Sequence, residues 1–261
     1  FNSTIPDLTL PTKLQYWGAL EQAKKRLLFT LMTLGLPLQS GWCDPNGGLL
    51  FDFLDDERSK PEHYAGNFVT SGFGNGVITL NVLEADDAAR AAMQSEMLEP
   101  YRTLLGHFRH ESGHYYWSLM SHDAAISDAF ADLLGDPNKD YAGSLERYYE
   151  TGPPSDWQDG YISAYATAHP LEDWAETWGH YLHMLDALET AHAHQLLDKD
   201  GTTMNMSERI AAWQQVSVML NEMNRSVGGS DAYPFTISTG VARKLELVDG
   251  AMGYLQRRQT D

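Results

Sequence analysis

The stretch RHESGHYYW, residues 109–117, decides how this chain is read. It holds His110, Glu111 and His114 in the spacing His-Glu-x-x-His. On a helix, positions i and i+4 share a face, so both imidazoles can point at one ion, about 2 Å from each nitrogen. Glu111 is turned by about 100° around the axis. It is poorly placed as a third ligand of that set. It can instead act on a water in an open coordination position, as a general base. Three fixed positions make a motif of moderate specificity, and a solvated helix face can carry them too. The flanks Leu104, Leu105, Phe108, Tyr115, Trp117 and Leu119 are bulky, so the helix is expected to be buried. Burying two histidines and a glutamate without a partner is costly.

A catalytic zinc site uses three protein ligands and one open position. The extended form, with glycine three residues and histidine six residues after His114, is excluded by Trp117 and Met120. The third ligand is therefore expected from HPLEDWAETWGHYLH, residues 169–183. There Glu172 is the candidate ligand. Glu176, one turn on, is the candidate acceptor for the far nitrogen of a ligand histidine, His110. His169 and His180 are candidate cleft residues, although core or surface packing is the simpler reading of both. Trp174 and Trp178 read as core. One Zn2+ per chain is expected from the ligand types, which would also accept cobalt or manganese.

Outside this region the chain sets bounds. It has 261 residues, 43% hydrophobic, enough for a sizeable core. No run of 18 apolar residues occurs, so no membrane helix is expected. The net charge of −18 makes nucleic acid and anionic membranes poor partners. Cys43 stands alone, so no internal disulfide can form, and a cytoplasmic setting is expected. The chain begins with Phe, and 1–12 do not read as a signal peptide, so a fragment or a processed product is expected. The oligomeric state is not legible.

Apolar spacing predicts a helix over 13–36, then strands over 48–54 and 77–82, the second after a Gly-rich turn at 71–76. Helices follow over 84–98, about 100–120 with Pro100 opening it, 123–134, 139–150, 170–192, 206–226 and 238–256. The fold class is α+β, mostly helical. It is read as one domain over 1–261, with a mixed α/β lobe at 1–83 and a helical lobe at 84–261 carrying the metal site.

The segments RTLLGHFRHESGHYYW (102–117), LLGDPNKDYAGSLERYYETGPP (133–154) and ISAYATAHPLEDWAETWGHYLHMLDALETA (162–191) resemble a family of bacterial zinc-binding metallopeptidases. NGVITLNVLEADDAAR (75–90), IPDL and AKKRLL near the start resemble it too. Members commonly carry an N-terminal zinc ribbon with paired cysteines, which this chain lacks. The arrangement is similar to gluzincins, in which a glutamate on a second helix is the third ligand. That resemblance implies a zincin-like fold, Glu172 as ligand and Glu176 behind it. In lethal-factor-like gluzincins, a tyrosine seven residues before the ligand glutamate stabilises the oxyanion, which places that role on Tyr165. A strand along the gluzincin cleft pairs with extended substrate, and VITLNV (77–82) is the expected strand. The implied function is hydrolysis of peptide or protein substrates with Glu111 as base. A zinc amidohydrolase acting on a non-peptide amide would use the same residues, and a binding module could retain the zinc site without catalysis.

Overall fold

The structure, a computed structural model, describes residues 1–59, 68–96 and 103–260. Contacts group the chain into two compact units, Phe1–Ser127 with Tyr254–Asp261, and Asp128–Gly253.

The first unit is built on alternation. In β2 (Leu50–Leu54) and β4 (Val77–Asn81) buried and half-buried positions alternate, burying Phe51 and Phe53 in one and Ile78 and Leu80 in the other. They pair in parallel, with β1 (Asn2–Thr4) parallel on the far side of β2 and β3 (Gly72–Gly74) antiparallel to β4. The order is β1-β2-β4-β3. The expected turn at 71–76 narrows to Asn75-Gly76, both at positive φ (50° and 79°), the signature of a two-residue hairpin. Residues 72–74 are strand. β4 is paired on both sides, so among the described residues the edge beyond it is β3, not the strand expected to receive substrate.

Helix α1 (Pro11–Thr33) crosses over between β1 and β2, and α2 (Asp87–Glu96) follows a 3-10 turn at Val82–Ala85. The histidine helix is α3 (Leu104–Met120). The opening expected at Pro100 lies outside the described residues. The cap is Thr103, whose hydroxyl accepts from the Gly106 amide at 2.9 Å. Phe108 packs against Phe51 (5.8 Å) and Phe53 (6.0 Å), seating α3 on the sheet. Tyr115 donates to the Gly47 carbonyl at 2.8 Å and Tyr116 to the Pro37 carbonyl at 3.0 Å. The motif helix is thus moored along its length.

The second unit is helical, with the greater part of α4 (Ala124–Leu134), then α5 (Tyr141–Thr151), α6 (Pro170–Ala193), α7 (Met206–Ser226) and most of α8 (Thr239–Thr260). α6 is at its centre. Its Trp174, Trp178, Tyr181 and Leu182 are all buried, and Trp174 packs against Phe130 at 6.0 Å and Trp178 at 5.7 Å. Both tryptophans are core, as expected. Polar ties fix α6 to its neighbours. Arg209 of α7 donates to Tyr181 Oη at 2.7 Å. Lys244 of α8 donates to Asp173 at 2.6 Å, with both side chains buried. The molecule is mostly helical with a small mixed sheet, as α+β requires. No helix among the described residues is long and apolar enough to cross a membrane.

The Lys244–Asp173 pair anchors the first turn of α6. Breaking a buried pair by removing one partner costs about 3–5 kcal/mol. Lys244→Met should lower stability by about that amount in urea unfolding, and Asp173→Asn added to it should recover much of the loss. An unchanged midpoint for Lys244→Met would contradict the anchoring role.

Candidate metal centre

On α3, His110 and Glu111 are buried and His114 is half-buried. The Nε2 atoms of His110 and His114 stand 3.2 Å apart, with ring centroids at 5.0 Å. Two nitrogens on one tetrahedral zinc, each at about 2.0–2.1 Å, would stand about 3.3 Å apart. The pair therefore has the bite that the motif requires.

Glu111 is 4% exposed. Its Oε1 faces His107 Nε2 at 3.1 Å, one turn back on the same helix. The other nitrogen of His107 lies 2.6 Å from Glu84 Oε2. Glu84, in the 3-10 turn after β4, is itself buried, and Ser71 donates to its other oxygen. A chain Glu84–His107–Glu111 thus ties the expected base to the end of the sheet. Burial pushes the Glu111 carboxyl up, but the His107 hydrogen bond and the neighbouring imidazoles outweigh it. The net effect holds Glu111 below the usual glutamate value, ionised at neutral pH. Its Oε2 is buried with no hydrogen-bond partner among the described residues. A carboxylate with one oxygen engaged and the other without a partner keeps an unused acceptor position.

Neither Glu84 nor His107 was singled out in the sequence. His107 carries a usable signal, since it lies four residues before Glu111 on a helix already identified. Glu84 carries none, because its meeting with His107 is tertiary.

In the second unit, Glu172 sits in the first turn of α6 and is 1% exposed. The Tyr141 hydroxyl of α5 donates to its Oε1 at 2.6 Å, a contact no sequence pattern announces. His169 is the N-cap of α6. Its Nδ1 accepts from the Leu171 amide at 3.1 Å, and its Nε2 faces the Lys139 carbonyl at 3.2 Å. It starts the helix and also lines a cavity beside the helix's first turn. Glu176 accepts from the Ser163 hydroxyl at 2.5 Å. His180 lies two turns beyond Glu172, with Nδ1 2.8 Å from Tyr233 Oη and its ring 4.4 Å from Phe235. Tyr165 is half-buried in a 3-10 turn (Tyr165–Thr167), its ring 5.7 Å from that of Tyr148. Burial, only partly offset by Lys244, pushes the Asp173 carboxyl up to about 7.

His110, His114 and Glu172 are positioned to bind a metal ion. Each offers one ligand atom, and these atoms lie within 4.8 Å of one another. Two imidazoles and a carboxylate make one of the usual donor sets of catalytic zinc.

A family described as "putative zinc-binding metallo-peptidase" matches residues 13–251. A Mycobacterium bovis protein and proteins of two Mycobacterium tuberculosis strains are each 41% identical over 251 residues, which cover 93% of this chain and 71% of theirs. All three are described as uncharacterized. No solved structure matches the chain. With the match running over nearly the whole sequence, the chain belongs to this family.

Proposed function

We propose that the chain is a zinc-dependent peptidase in which His110, His114 and Glu172 hold one zinc ion and Glu111 is the general base. The observation that carries this reading is Glu111, a buried carboxylate with one oxygen facing His107 and the other without a hydrogen-bond partner among the described residues. A purely structural zinc site needs ligands and no base. The family membership supports the same reading.

Zinc, when bound, supplies a Lewis acid that polarises a carbonyl and brings the pKa of water to about 7. The chain's own residues do the rest. Glu111 Oε2 takes the proton of the attacking water and returns it to the leaving amine. His107, braced by Glu84, keeps Oε1 occupied and fixes the carboxylate's orientation. The Tyr141 hydroxyl holds Oε1 of Glu172, so that carboxylate has one oxygen already committed. Tyr165 donates to the oxygen that gains charge as the carbonyl carbon becomes tetrahedral. Glu176, fixed by Ser163, orients His110 through its far ring nitrogen. The substrates are peptides or proteins, and a cytoplasmic setting belongs to the same proposal.

Glu111→Gln keeps the size of the side chain and removes the base. Peptide hydrolysis by the zinc-loaded protein should fall by about 10²–10⁴-fold, with zinc content unchanged by elemental analysis. Hydrolysis at the wild-type rate would remove Glu111 from the mechanism. Tyr165→Phe should lower kcat by about 10²–10³-fold, the scale of a lost oxyanion donor, and leave KM nearly unchanged. A rise in KM alone would assign Tyr165 to substrate binding instead.

A further inference from the structure

The unit Asp128–Gly253 contains a cavity of about 340 Å³ beside the first turn of α6. That is the lower end of the usual range for ligand pockets, about 300–1,000 Å³, with room for one terminal residue or side chain. Its charged lining residues are Lys139, Arg147 and Asp173. Asp173 is already matched by Lys244 at 2.6 Å, and the Lys244 ammonium lies 3.8 Å from the centre of the Tyr161 ring, which also lines the cavity. Lys139 and Arg147 form no ion pair with any described residue. Arg147 Nη2 donates to Ser144 Oγ at 3.0 Å, and the remaining guanidinium N–H groups have no acceptor among the described residues. In a chain with 36 acidic and 18 basic residues, these two solvent-exposed cations give the wall a local excess of positive charge.

The wall shares its elements with the candidate metal centre. Asp173 directly follows Glu172, and α5 supplies both Tyr141, which holds Glu172, and Arg147. The surplus of positive charge, the fork of free donors and the small volume suit one carboxylate. The large negative charge of the whole chain disfavours a polyacidic partner.

We propose that this cavity is a subsite for a single carboxylate of the substrate, anchored by Arg147 with Lys139 adding charge. The word substrate rests on the peptidase reading. The carboxylate is either the C-terminus of a peptide or an acidic side chain.

The test is titration of the purified chain, followed by NMR, with three probes. N-acetylglutamate α-amide carries only a side-chain carboxylate, N-acetylalanine only a terminal one, and N-acetylglutamine amide neither. One or both acid probes should bind at least about tenfold more tightly than the neutral probe, the scale of a charged hydrogen bond. Arg147→Ala should erase that preference, Arg147→Lys should keep part of it, and Lys139→Ala should weaken it severalfold. Zinc content and melting temperature should stay unchanged in all three variants, since both side chains are exposed. The acid probe that binds identifies the source of the carboxylate. No preference for acid probes, or wild-type binding in Arg147→Ala, would overturn the proposal. Failure of the peptidase reading looks different, because carboxylate binding would still depend on Arg147 while no peptide was cleaved.

Discussion

Keeping a carboxylate charged inside a packed helix is expensive, and much of the first unit is organised around that cost. Glu111 lies on a helix face pressed against the sheet by Phe108 and moored by Tyr115 and Tyr116. Burial alone would neutralise it. The His107 hydrogen bond works against that, and Glu84 holds His107 from the end of β4. The sheet, though small, thus leads into a polar chain of contacts as well as packing a core. It fixes the far end of the chain of contacts that orients Glu111.

A similar economy governs the second unit. Glu172 is nearly inaccessible, and Tyr141 satisfies one of its oxygens. The helix that carries it begins at a histidine cap, is pinned by Lys244 through Asp173, and is surrounded by large aromatic residues. A carboxylate presented from a rigid first turn is a better ligand than one on a mobile loop, because less ordering is required when a cation arrives.

Much of this was legible from local pattern. The helices over 13–36, 123–134, 139–150, 170–192 and 206–226 have ends marked by glycine, proline or polar caps, and they form within a few residues of those marks. The strands at 50–54 and 77–81 show the two-residue period of a half-buried sheet. The His-Glu-x-x-His spacing is a statement about one helix, so it needs no tertiary knowledge. What escaped depends on pairing across long separations. The three-residue strand at 2–4 has no periodicity of its own and exists because it lies beside β2. The edge at 72–74 reads as turn because it is two-thirds glycine, and it becomes strand only by pairing with β4. Glu84, Tyr141 and Lys244 are single residues whose roles arise from partners 23 to 71 positions away.

The proposed chemistry requires one zinc ion held by His110, His114 and Glu172. The most direct test is elemental analysis of the untagged chain, purified without chelator, beside Glu172→Ala. About one zinc per wild-type chain is expected and little or none in the variant, with both proteins folded by circular dichroism. A folded wild-type chain that carries no zinc and takes up none when it is added would contradict it, and so would full zinc retention in Glu172→Ala.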